Sequence, residues 1–106
     1  MAAFRFSHRA EADLLSIADY TLRTWGEAQA DHYIGELETF CQMLADNPGL
    51  GRPRDDIRPG LRRMEQGKHV VFYRLRQPGG ILVVRVLHQR MLPERHAIDE
   101  CLVISD

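Results

Sequence analysis

The stretch Arg85-Val86-Leu87-His88-Gln89-Arg90 places a histidine between two arginines. An imidazole titrates near neutral pH and can move a proton, and guanidinium groups clamp phosphate oxygens. Arg85, His88 and Arg90 are therefore the residue types of an RNA-cleaving site. The rest of that chemistry is sparse. No second base stands out, and His69, beside a turn, reads as structural. Gln77-Pro78-Gly79-Gly80 is a hairpin loop without the Lys-Ser/Thr that a phosphate-cradling loop requires. Asp55 and Asp56 lie in a Gly- and Pro-rich segment and read as solvated. Cys41 and Cys101 are far apart, in no metal-ligand spacing, and read as small apolar fillers. No metal, cofactor or disulfide is expected.

Charge gives the stronger signal. The net charge of −1 conceals two unlike halves. Residues 1–51 carry −5 and residues 52–106 carry +4. Of the 14 basic side chains, Lys68 is the single lysine, and arginine is the side chain suited to bidentate recognition of carboxylate or phosphate. An anionic partner for the second half is the expectation.

These residues need elements to hold them. Phe4 and Phe6 alternate with Arg5 as a short strand, and Ser7 is placed to cap a helix over residues 8–24. Ala10, Leu14, Ile17, Ala18, Thr21 and Trp25 recur at helical spacing, and Gly26 ends the run. A second helix puts Ala30, Tyr33, Ile34, Leu37, Phe40, Cys41 and Leu44 on its inner face, until Asn47-Pro48-Gly49 stops it. So short a link predicts an antiparallel helical hairpin, with Leu14, Ile17, Tyr33, Leu37 and Phe40 in the core. Residues 49–60 read as a loop.

Three strands follow at about 61–66, 68–76 and 81–89, joined by tight turns, which makes 61–89 a three-stranded antiparallel core. The tail, 97–106, suits either a short helix or an extended segment. The whole of 1–106 reads as one α+β domain, β-α-α-β-β-β, a small antiparallel sheet with the hairpin on one face. Strict alternation groups Val84, Val86 and His88 on one face of the last strand, against Val83, Arg85 and Leu87. The face away from the helices then mixes apolar residues with Arg74 and Arg85, as a docking surface for something acidic would. No apolar run is long enough to span a membrane, and the first residues lack a signal-peptide core, so a cytoplasmic location is expected.

"FSHRAEADLLSIADYT", "WGEAQADHYIGELETFCQMLADNP", "GLGRPRDDIRPGLRRMEQGKHVVFYR" and "ILVVRVLHQRM" together resemble the ParE branch of the RelE/ParE toxin superfamily. The resemblance implies the β-α-α-β-β-β fold and a toxin of a type II toxin–antitoxin system. It also implies a ParD-like antitoxin whose ribbon-helix-helix dimer contacts DNA and whose acidic C-terminal tail folds on the toxin. DNA would be met only through that partner. Arg62, Arg63, Arg74 and Arg85 are the expected antitoxin-binding residues. ParE-like members are associated with inhibition of DNA gyrase, and RelE-like members with ribosome-dependent mRNA cleavage. The lysines and the terminal tyrosine of the ribonuclease branch are missing here, since the tyrosines are Tyr20, Tyr33 and Tyr73. A protein-binding gyrase inhibitor is the preferred expectation. The alternative is a RelE-like endonuclease using Arg85, His88 and Arg90.

Overall fold

The computed structural model describes residues 3–76 and 79–89. Gln77, Pro78, Arg90, Cys101 and the tail 97–106 lie outside the described residues. The elements are β1 (Phe4–Phe6), α1 (His8–Trp25), α2 (Glu27–Asp46), a 3-10 turn (Pro48–Leu50), β2 (Arg52–Pro53), β3 (Arg62–Gln66), β4 (His69–Leu75) and β5 (Ile81–His88).

Local chemistry sets the helix ends. Ser7 is extended, and its hydroxyl oxygen accepts the Ala10 N–H at 3.0 Å, satisfying a donor that the first turn leaves open. The same hydroxyl donates to the Val84 carbonyl at 2.7 Å, so the cap also ties the helix to the sheet. Gly26, at φ 96°, is the whole link between the helices, in a conformation that a side chain would strain. At the far end the Asn47 side chain donates to the Met43 carbonyl.

The strands form one sheet in the order β1-β5-β4-β3-β2. The β2–β3, β3–β4 and β4–β5 pairs are antiparallel, as the short links require. β1 departs from the expected antiparallel arrangement. It lies parallel to β5, with Phe4, Arg5 and Phe6 opposite Ile81, Leu82 and Val83. The intervening hairpin of helices supplies the long crossover that a parallel pair needs. The segment 49–60, expected as loop, contributes the 3-10 turn and the two-residue β2.

A bulge on β5 overturns the alternation expected there. Arg85 lies opposite Phe72, and Val83 opposite Tyr73, so Val84 is an extra residue between them. Val83 therefore joins Ile81 and Val86 in the core under the helices, with Val71, Tyr73, Ile17, Leu37, Cys41 and Leu44. Val84 joins the opposite cluster of Leu61, Val70, Phe72 and Leu87, against which Ile57 packs. Both faces of the sheet thus carry buried apolar side chains. Full burial of one such Leu or Phe is worth roughly 1.5–3 kcal/mol. Ile17 and Leu37 are buried as expected, while Leu14, Tyr33 and Phe40 pack half-buried at the margin of the core. Trp25, expected on the inner stripe of α1, is 69% exposed because that stripe ends before the final turn.

Candidate protein-docking surface

β3, β4 and β5 position the basic side chains, and their surroundings differ sharply. Arg63 is only 9% exposed. Its guanidinium lies over the Phe72 ring, 5.9 Å from the centroid, and Nη2 donates to Glu65 Oε1 at 3.0 Å. Arg52, across from Arg63 in the register, donates to the same oxygen at 2.8 Å. Burial alone would raise the Glu65 pKa. The hydrogen bond from Arg63 and the charges of Arg52 and Arg63 outweigh it and hold the carboxyl below its usual range.

Arg62 points to the other side of β3 and is half-buried. Its Nη1 donates to the Gly51 carbonyl at 2.6 Å. That carbonyl belongs to a tightly held corner. The Tyr73 hydroxyl donates to the Pro48 carbonyl at 2.8 Å and accepts the Gly51 N–H at 2.7 Å. A Cβ on Gly51 would collide with the Tyr73 ring, so the approach of backbone to phenol requires glycine there.

Arg85 is also 9% exposed. Its Nε and Nη2 grip Asp13 of α1 at 2.8 and 2.9 Å, and Asp13 Oδ2 accepts the Val86 N–H at 2.9 Å. β1 ends at Phe6, so beyond Val83 this edge of β5 has no strand neighbour among the described residues. Asp13 and Ser7 take over its backbone groups, and α1 closes the edge. Arg85 is therefore an internal strut rather than part of an open face. Arg74 and Arg76, at the end of β4, are half-buried, and no described carboxylate pairs with either. Leu75 between them is 57% exposed. Arg74, Leu75 and Arg76 thus offer two cations without a described carboxylate partner and one exposed apolar side chain.

The acid–base candidates meet at the opposite end of the sheet. His69 and His88 are direct cross-strand neighbours, with ring centroids 5.4 Å apart, a pairing that alternation within each strand did not disclose. The Tyr33 hydroxyl lies 2.5 Å from His69 Nδ1 and accepts a backbone hydrogen bond from Lys68. The contact engages Nδ1 of the His69 ring. Burial, reinforced by the charge of His88 and only partly opposed by Asp13, pushes the His69 pKa down to about 4. With Nδ1 engaged and its pKa lowered, His69 is a poor base at neutral pH. Arg90 lies outside the described residues, so the set Arg85, His88 and Arg90 is not brought together here. Cys41 is buried, and that burial, with the charge of Glu38, raises its thiol to about 12, far from any nucleophilic role at neutral pH. Among the described residues no group of three potential metal ligands occurs. No helix of the described chain is long and apolar enough to cross a membrane.

Sequence reasoning missed Asp13, Tyr33, Glu65 and Tyr73 as partners. Asp13 reads as a helix-dipole residue, and nothing local in the sequence connects it with Arg85.

The chain is 44% identical over 98 residues to Toxin ParE1 of Caulobacter vibrioides, covering 91% of this chain and 98% of that protein. It is 45% identical to Toxin ParE1 of Mycobacterium tuberculosis, over 88% of this chain and 95% of that one. Toxin ParE of Escherichia coli is 40% identical, with coverages of 86% and 88%. A solved chain described as a chromosomal ParDE TA system from P. aeruginosa shares the fold. Its TM-score is 0.68 at 24% identity, over 83% of this chain and 96% of that chain. Residues 4–93 match the model of the ParE toxin of type II toxin–antitoxin system, parDE, and the chain belongs to that family.

Proposed function

We propose that this toxin inhibits DNA gyrase through protein contacts and is neutralised by a ParD-like antitoxin whose acidic tail docks on the sheet, meeting Arg62 and Arg74 above the strands that Arg63 and Arg85 hold in place. The observation that carries the docking reading is the half-buried pair Arg74 and Arg76, flanking exposed Leu75, with no described carboxylate to neutralise either. An amphipathic acidic segment can pair with such cations as it passes the end of β4. Arg63 and Arg85 contribute by fixing the strands beneath, since each is held by an internal carboxylate. The charge of the second half draws an acidic partner in from solution.

Gyrase is preferred as target because the lysines and the terminal tyrosine of the ribonuclease branch are missing from the sequence. His69 is held neutral and hydrogen-bonded by Tyr33. The purified chain should block gyrase supercoiling and leave ribosome-bound mRNA intact, and the cognate antitoxin should restore supercoiling. One observation favours the endonuclease reading, the contact of His69 with His88 across the strands. Mapped mRNA cuts that disappear in His88→Ala, with gyrase unaffected, would replace the first reading by that one.

A further inference from the structure

β3 is paired on its β2 side only at Arg62 and Arg63. The chain leaves that edge at Gly51, whose N–H is taken by Tyr73. Among the described residues no strand pairs with Met64–Gln66 there. Facing this open edge is a groove of about 560 Å³, lined by Gly35, Phe40 and Met43 of α2 and closed on the far side by Gln66. Phe40 is half-buried and Met43 is 37% exposed, so the floor is apolar and wet. Asp31 and Glu36 add carboxylates to the lining, Glu36 in contact with His32 Nε2 at 2.6 Å, and no lysine or arginine is part of it.

Gly35 supplies a second observation. It sits in the middle of α2, where glycine is the weakest helix former after proline. Nothing lies within 4 Å of where its Cβ would be, so no internal contact asks for the missing side chain. What the glycine provides is room on the groove side, for another backbone to lie close against the helix.

We infer that this groove binds an extended peptide segment of alternating apolar and basic residues, which adds as a strand to the free edge of β3. The segment's backbone groups would pair with Met64–Gln66, as edge strands invite. Its apolar side chains would lie on Phe40 and Met43, and its Lys or Arg would meet Asp31 and displace His32 from Glu36. This occupant is opposite in charge to the antitoxin tail assigned to the arginines.

The test uses the full chain, ¹⁵N-labelled, and a capped heptapeptide alternating valine with lysine or arginine. A matching heptapeptide with glutamate in place of the basic residues is the control. Expected are amide shift changes confined to Met64–Gln66 and the groove face of α2 with the basic peptide, and none with the acidic one. Gly35→Leu should weaken binding at least tenfold by filling the groove. Asp31→Lys with Glu36→Lys, both at exposed positions, should do the same without burdening the fold. Absence of shifts, shifts elsewhere, equal binding of the acidic peptide, or wild-type affinity in both variants would overturn the assignment. So would a concentration-dependent dimer in sedimentation that Gly35→Leu abolishes, which would make a second copy the occupant.

Discussion

Asp13 on α1 and Arg85 on β5, 72 positions apart, form a two-pronged ion pair whose carboxylate also accepts the Val86 N–H. Both side chains are nearly buried, so removing one strands the other's charge away from water. Asp13→Ala or Arg85→Ala should each cost about 3–5 kcal/mol in urea unfolding. The double variant should cost clearly less than the sum. Additive losses would show that the pair is not coupled.

The antitoxin interface should respond unevenly to arginine substitution. Arg74→Ala should weaken antitoxin affinity by about 2 kcal/mol or more, as a centrally placed anchor does. Arg63→Ala and Arg85→Ala should act mainly through lowered melting temperature. Affinity should fall as salt rises. Salt-independent binding, with every variant near wild type, would return these side chains to structural or solvated roles.

Tyr73 pins the connection between α2 and β2 through one donated and one accepted hydrogen bond. Tyr73→Phe keeps the ring but leaves the Gly51 N–H without its acceptor and the Pro48 carbonyl without its donor. The expected cost is about 1–3 kcal/mol in thermal or chemical denaturation. A midpoint equal to wild type would mean that water replaces the hydroxyl at both groups.

Stability should fall on mild acidification. His69 has a folded pKa of about 4 against an ordinary value of 6.5, depressed by burial and then by His88, with Asp13 opposing. Below 6.5 the unfolded chain therefore takes up the proton before the folded chain does. The stabilising preference for neutral His69 is complete above 6.5, is lost progressively as pH falls, and is gone below about 4. The slope stays under the limit of about 1.4 kcal/mol per pH unit, since water screens a ring that is only partly buried. Replacing His69 by Gln should flatten the dependence of the urea midpoint on pH across that window. An unchanged profile would assign it to other groups.

The helix limits were legible because their signals are local. Ser7, Gly26 and Asn47 announce a cap, a break and a stop within a few residues of where they act. The core positions Ile17 and Leu37 follow from the same periodicity. What escaped was set by pairing across the chain. The phase of β5 turns on one extra residue opposite β4, invisible within Ile81–His88 alone. The arginines could be placed on strands from the sequence, but whether each is spent internally depends on partners such as Asp13 and Glu65. The parallel docking of β1 is likewise a property of the assembled sheet.

That docking has a consequence for the toxin's birth. The first described strand, β1, pairs with the last described one, β5, so this pair cannot close until His88 has left the ribosome. The helical hairpin is complete by Asp46. At bacterial synthesis rates its apolar underside must wait roughly 2–8 s for the strands that cover it. Non-local pairing of this kind also slows folding after release. A ribosome stalled before β5 therefore leaves the helical hairpin without the strand that joins β1 to β4, and its apolar underside open to aggregation.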